Sequence, residues 1–203
     1  MVENYSYIKL SDRHANDIAL LHLKAFPTFF LSKLGLNFLF TFYRIILLSE
    51  NSVGVGVLNE DKLVGFAIGA QKAHSFYLKI FKKNFFKLAY QTIIPIFKNP
   101  IIIKDLLNSF FSKENSLDNY KNSAILLSIC VDPLNESKGL GKNLIFQFEK
   151  VIYEYNNSII LTTDAENNDY VNNFYVNNNF QLITTFFKGK RKMNFYFKSI
   201  KNI

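Results

Sequence analysis

The stretch Ile129-Cys-Val-Asp-Pro-Leu-Asn-Glu-Ser-Lys-Gly-Leu-Gly-Lys-Asn-Leu-Ile-Phe-Gln-Phe-Glu149 runs an apolar strand through a Lys/Gly turn straight into an amphipathic helix. Gly139 and Gly141 let the backbone turn with its N–H groups converging. The helix start adds about half a positive charge, and Lys138 and Lys142 flank it. Such a turn is an anion cradle sized for a pyrophosphate. Its residue order excludes two familiar alternatives, since neither G-x-x-x-x-G-K-[ST] nor G-x-G-x-x-G is present. What remains is G-x-G after V-D-P.

That order points to coenzyme A. The strand, the V-x-P exit, the Lys138-Gly139-Leu140-Gly141-Lys142 turn and the helix resemble the acyl-coenzyme A signature of the Gcn5-related N-acetyltransferases (GNAT). A second match follows in Leu161 to Asn168, Asn173-Phe174-Tyr175 and Asn179-Phe180. It is similar to the family's second signature, an Asn seven residues before a Tyr with a Gly-Phe pair closing the helix. The resemblance spans roughly residues 122 to 188.

The resemblance implies an α/β GNAT-like fold, a mixed and mainly antiparallel sheet flanked by helices and splayed near Val131. Acetyl-CoA would be the cosubstrate, with no metal. The N–H groups of Lys138, Gly139, Leu140, Gly141 and Lys142 would take the pyrophosphate. Ile129, Cys130 and Val131 would run beside the pantetheine arm, Ile129 and Val131 offering edge-strand backbone. Tyr175 matches the family's acid, which protonates the departing thiolate. Asn168 would contact the coenzyme or a catalytic water, or cap its helix; Asn167 could take either part. Glu136 stands where the family usually has Gln or Arg, and it would repel a phosphate unless turned away.

No motif fixes the general base: His22, His74, Glu60, Asp132 and Asp164 all stay open. Cys130 invites a covalent acyl-cysteine, but a small apolar residue in a core strand is the commoner meaning of a lone cysteine.

With 203 residues, 49% apolar and 20% charged, the chain supports a single domain over residues 1–203 with a true core. One cysteine excludes an intramolecular disulfide, and the first residues lack a signal-peptide pattern, so a cytoplasmic location is expected. No apolar run reaches the eighteen or so residues a membrane span needs. The net charge of +8 is concentrated, with eight lysines and one acid between Lys72 and Lys113.

Tyr5 to Leu10 predicts a strand, with Ser11 or Asp12 capping a helix to about Phe26. Past Pro27, a second helix is expected from Phe29 through Ile46. Val53 to Leu58 and Leu63 to Ile68 read as an antiparallel hairpin. Residues 72–121 then form an insertion before a strand at Ser123 to Val131. Its first part is an amphipathic helix with Phe81, Phe85 and Leu88 on one line and Lys79, Lys83 and Lys87 on another. Pro95 and Pro100 should break it, with a short helix at Ile101 to Phe111. After the cradle helix come a strand at Ser158 to Thr163, a helix at Asn168 to Asn178, and a closing hairpin from Phe180 to Phe197.

The insertion reads as a lid over the acceptor site, as a helical cap, or as a surface for anionic lipid, the first two ranking above the third. The expected function is transfer of an acetyl group to a primary amine of a small molecule, a nucleotide-linked amino sugar being one candidate. A non-catalytic acyl-CoA-binding protein and a basic anionic-membrane or nucleic-acid module are the alternatives. The lysines are not interleaved in any nucleic-acid motif, so no nucleic-acid partner is expected. A monomer and a homodimer fit equally.

Overall fold

The computed structural model describes residues 4–73, 76–98, 119–136 and 138–201. Seven strands form one sheet in the order β1-β2-β3-β4-β5-β7-β6. They are β1 (Tyr5–Lys9), β2 (Ser52–Asn59), β3 (Lys62–Ala70), β4 (Ala124–Val131), β5 (Ser158–Asp164), β6 (Gln181–Lys188) and β7 (Arg191–Ser199). Helices α1 (Ala15–Ala25) and α2 (Leu36–Leu47) precede the β2–β3 hairpin, α3 (Phe76–Lys98) lies between β3 and β4, and α4 (Leu140–Tyr153) and α5 (Asp169–Asn177) flank β5. The resemblance therefore describes the architecture correctly.

Side chains alternate across the strands and build a core on each face. On one face Phe66, Ile68, Ala70 and Cys130 pack with α1, α2 and the buried residues of α3. On the other, Val55, Ala67, Leu126, Ile159 and Leu161 pack with Leu144, Phe148 and Ile152 of α4.

Every neighbouring pair is antiparallel except β4 and β5, which run parallel and match at only two positions, Ala124↔Ile159 and Ile125↔Ile160. The reason lies in the β3–β4 ladder. Ile68 faces Ser128 and Gly69 faces Leu126, so Leu127 is an extra residue. A bulge bends its strand, and here the bend carries β4 away from β5. The splay thus opens at Leu127, four residues earlier than the expected point near Val131. Gly69 sits against the bulge: a Cβ there would stand 2.0 Å from the Ile125 carbonyl oxygen and 2.6 Å from the Phe148 ring.

Three expectations need correction. The second helix starts at Leu36 rather than Phe29, because Gly35 takes a φ of +84° and separates it from a short 3-10 turn at Ser32–Leu34. Helix α3 continues past Pro95 to Lys98, and its irregularity falls at Asn84, with φ −118° and ψ 17°. The Asn84 side-chain amide donates to the Ile80 carbonyl, the acceptor of the regular i→i−4 bond, at 3.0 Å. The buried line of α3 is Phe76, Ile80, Leu88 and Thr92, whereas Phe85 points outward. Pro100 and Ile101 to Phe111 lie outside the described residues.

The bulge makes Gly69 irreplaceable. Gly69→Ala should cost about 3 kcal/mol, the upper range for overpacking a core, read as a fall in the urea midpoint. A stability loss within about 0.5 kcal/mol would mean the β3–β4 contact relaxes freely.

Candidate active site

Beyond Ile125 the two parallel strands leave a slot. Leu127, Ser128, Ile129 and Val131 of β4 are half-buried although the strand is central, and so are Thr162, Thr163 and Asp164 of β5. The backbone of β4 along the slot is unmatched by β5. The Asp132 N–H donates to the Val64 carbonyl at 2.7 Å, and in an antiparallel ladder alternate residues turn their amides to opposite neighbours. The amides of Val131 and Ile129 therefore face the slot.

The slot ends at the cradle. Gly139 takes φ +74° as the residue before α4, and a Cβ there would meet nothing within 4 Å. The first bond of the helix runs from the Asn143 N–H to the Gly139 carbonyl, at 3.1 Å. The N–H groups of Leu140, Gly141 and Lys142 thus have no partner within the helix, and no acid lies in its first turn. This donor set, open on its outer side, fits a pyrophosphate. Leu140 anchors the turn by burying its side chain in the α4 core. Lys142 is exposed, and Lys138 Nζ donates to Asn135 at 3.4 Å. Gly141 has a second role: a Cβ would press on the Phe174 ring at 3.2 Å, so glycine lets α5 approach α4. Glu136 is exposed.

Tyr175 on α5 is buried in the same apolar cluster that Ile129 and Val131 line. Its ring touches Phe174, Phe180 and Tyr196. Burial, and secondarily Tyr196, pushes the phenol above its ordinary pKa, so it stays protonated. Asn168 directly precedes α5 but does not cap it. Its amide instead donates to Thr163 Oγ1 at 2.9 Å and the Asp164 carbonyl at 3.0 Å, tying α5 to the end of β5. Asn167 and Asn179 take left-handed φ values of 53° and 65°, the latter doing the work of the glycine usual in a Gly-Phe pair.

The candidate bases separate. Asp132 is buried and its carboxylate accepts from Lys24 Nζ at 2.6 Å and the Leu134 N–H at 2.9 Å. Burial raises its pKa, but Lys24, the Leu134 N–H and Lys62 outweigh this and hold it below the usual carboxylate range. Asp164 is held bidentately by Arg191, at 2.9 and 2.7 Å. Arg191 also lies over the Phe29 and Phe30 rings, joining the α1–α2 connection to the β6–β7 hairpin. Glu60 is exposed in a cleft of about 530 Å³ between α1, the β2–β3 turn and Asp132. His74 lies outside the described residues. Cys130 is buried and its thiol pKa is raised, first by burial and then by Asp132, which removes thiolate character.

His22 points inward, against Phe26, Phe29 and Tyr43. Its Nδ1 lies 2.7 Å from Tyr43 Oη, and Tyr43 Oη donates to Ser128 Oγ on the bulge at 3.2 Å. A polar chain thus reaches the slot from the α1–α2 face. Burial lowers the His22 pKa to about 4, and Nε2 has no partner among the described residues. Sequence reading missed Tyr43 and Ser128, though a serine inside Ala-Ile-Leu-Leu-Ser-Ile-Cys-Val is a visible signal. It also missed Asn172, whose amide donates to Asp164 and Asn168 carbonyls and accepts from Asn194 and Tyr196.

The fold, a mostly antiparallel seven-stranded sheet flanked by helices, is that of solved GNAT acetyltransferases. A GNAT-family protein from Desulfovibrio desulfuricans superposes with a TM-score of 0.64 at 11% identity, over 98% of this chain and 100% of that one. The ribosomal-protein-alanine N-acetyltransferase from Brucella melitensis is similar with a TM-score of 0.62 at 12% identity, over 96% and 99%. The ribosomal-protein-S18-alanine N-acetyltransferase from Escherichia coli gives 0.59 at 14% identity, over 98% and 96%. No protein-family model and no curated protein matches the sequence.

The buried histidine sets a pH dependence. Above pH 6.5 the ring is neutral in both folded and unfolded chains. As pH falls from 6.5 toward 4 the unfolded chain binds a proton that the folded one does not, so stability drops by about 3 kcal/mol. His22→Phe should flatten this part of the stability–pH curve in urea titrations; an unchanged slope would mean that His22 protonates freely in the fold.

Proposed function

We propose that the chain is an acetyl-CoA-dependent N-acetyltransferase acting on a primary amine. The observation that carries this reading is the unpaired slot between β4 and β5 ending in the glycine cradle at α4. A coenzyme would supply the activated thioester. The chain's own residues would hold it: the Leu140, Gly141 and Lys142 N–H groups on the pyrophosphate, the Ile129 and Val131 amides along the arm.

In the reaction a C–N bond forms, a C–S bond breaks, the amine loses a proton and the thiolate gains one. Backbone N–H of β4 beside the bulge would polarise the thioester carbonyl. Tyr175, which matches the family's acid in the second motif and lies in the cluster lined by Ile129 and Val131, would protonate the departing thiolate. Asn168 would act by fixing α5 against β5, and with it Tyr175, more than by touching the coenzyme.

For the acceptor we propose a small amine, and a nucleotide-linked amino sugar is one class to screen. Two structural neighbours are named for a ribosomal-protein alanine, so a peptide α-amine belongs in the same screen.

Calorimetric titration with acetyl-CoA should show one saturable site per chain, and Gly139→Val should weaken it by at least about tenfold, through strain at positive φ and a side chain in the cradle. Absence of saturable binding to the wild type removes the reading. Tyr175→Phe should lower turnover by about a hundredfold while leaving acetyl-CoA affinity within a factor of roughly three; wild-type turnover would take Tyr175 out of the mechanism.

A further inference from the structure

Helix α3 has two faces. Phe76, Ile80, Leu88 and Thr92 are buried, and the helix packs on α2 and on the 3-10 turn before it. Among the described side chains of α3, these four face the core. On the outer face Lys79, Lys82, Lys83, Phe86 and Tyr90 follow one another at helical spacing, joined by Phe85 and Lys87, and all are exposed. Phe86 is 86% exposed, Tyr90 72% and Phe85 54%. The Phe85 and Phe86 rings stack edge to face, 5.7 Å apart, so they form one apolar ridge. No Asp or Glu occurs anywhere in α3.

We propose that this face docks on an anionic lipid surface. An aromatic ridge rimmed by lysines is what an interfacial helix presents: rings enter the boundary between headgroups and acyl chains, and ammonium groups stay with the phosphates. The charge argues against a second copy of this chain. A two-fold contact would set each lysine row against the other with no acid on either helix to neutralise it. The same lysines would attract a nucleic-acid strand, but a phosphate backbone gives the exposed aromatic ridge no apolar phase to enter, whereas a lipid boundary does. No described helix is long and apolar enough to cross a membrane, so the contact is peripheral. Since α3 packs on the α1–α2 side of the sheet, docking leaves the glycine cradle on the far side, facing water.

The test is flotation of the full chain with phosphatidylcholine vesicles, with and without phosphatidylglycerol, at low and high salt. The expected result is binding only to the anionic vesicles, weakened by salt. Lys82→Gln with Lys83→Gln should reduce it by roughly twenty-five-fold, at about fivefold per lysine. Phe86→Ser with Tyr90→Ser should also cost at least about tenfold, with acetyl-CoA affinity unchanged as the check on folding. Lack of flotation at low salt overturns the proposal. So does binding that survives loss of both aromatic residues, capture of single-stranded RNA without vesicle binding, or a dimer in sedimentation that the aromatic pair of substitutions dissociates.

Discussion

One extra residue in β4 governs the rest of the structure. Leu127 has no partner on β3, and the bulge it makes turns the strand out of line with β5 after two matched positions. A parallel pair continued to the ends of both strands would have buried the Ile129 and Val131 amides in a ladder. The bulge leaves them facing a slot instead, and Gly69, the one residue that can stand so close to the Ile125 carbonyl, makes the bend possible. The cradle at Gly139 matters because the slot leads to it.

Keeping a slot open in a sheet requires walls that do not collapse. On the β5 side polar cross-links do this: Asn168 and Asn172 bind the Asp164 carbonyl, while the Asp164 carboxylate is fixed by Arg191. On the β4 side Lys24 holds Asp132, and Tyr43 braces Ser128. Behind both strands the α4 core spans the gap, and Glu149 pairs with Lys198 of β7. Each of these carboxylates is paired with a cation where it stands, and Asp132, held below the usual carboxylate range, has little capacity to act as a base.

The cradle, the helix after it and the α5 motif were readable because each is a local pattern: glycine spacing, helical periodicity, an Asn seven residues before a Tyr. The Asn179 turn was readable for the same reason. The bulge was not, since Ala124 to Val131 contains no Gly or Pro to mark it, and the glycine it needs lies on another strand. The His22–Tyr43–Ser128 chain joins three elements far apart in sequence. Proline misled at position 95, where the helix absorbs it, while Asn84 perturbs the same helix. The apolar line chosen for α3 was displaced because Phe85 is as apolar as Ile80, and only packing against α2 decides which of them turns inward.

The two-position β4–β5 match also bears on cooperativity. In backbone terms the sheet is a four-stranded unit and a three-stranded unit sharing a seam two residues long, the rest of the joint being side chains of α4. Such a seam is where partial opening is least costly. A ligand lying along the slot and bonding both strands would complete the seam, so the free energy of opening would rise with ligand concentration as mass action requires. The protein's rigidity is then set as much by what fills the slot as by its own sequence.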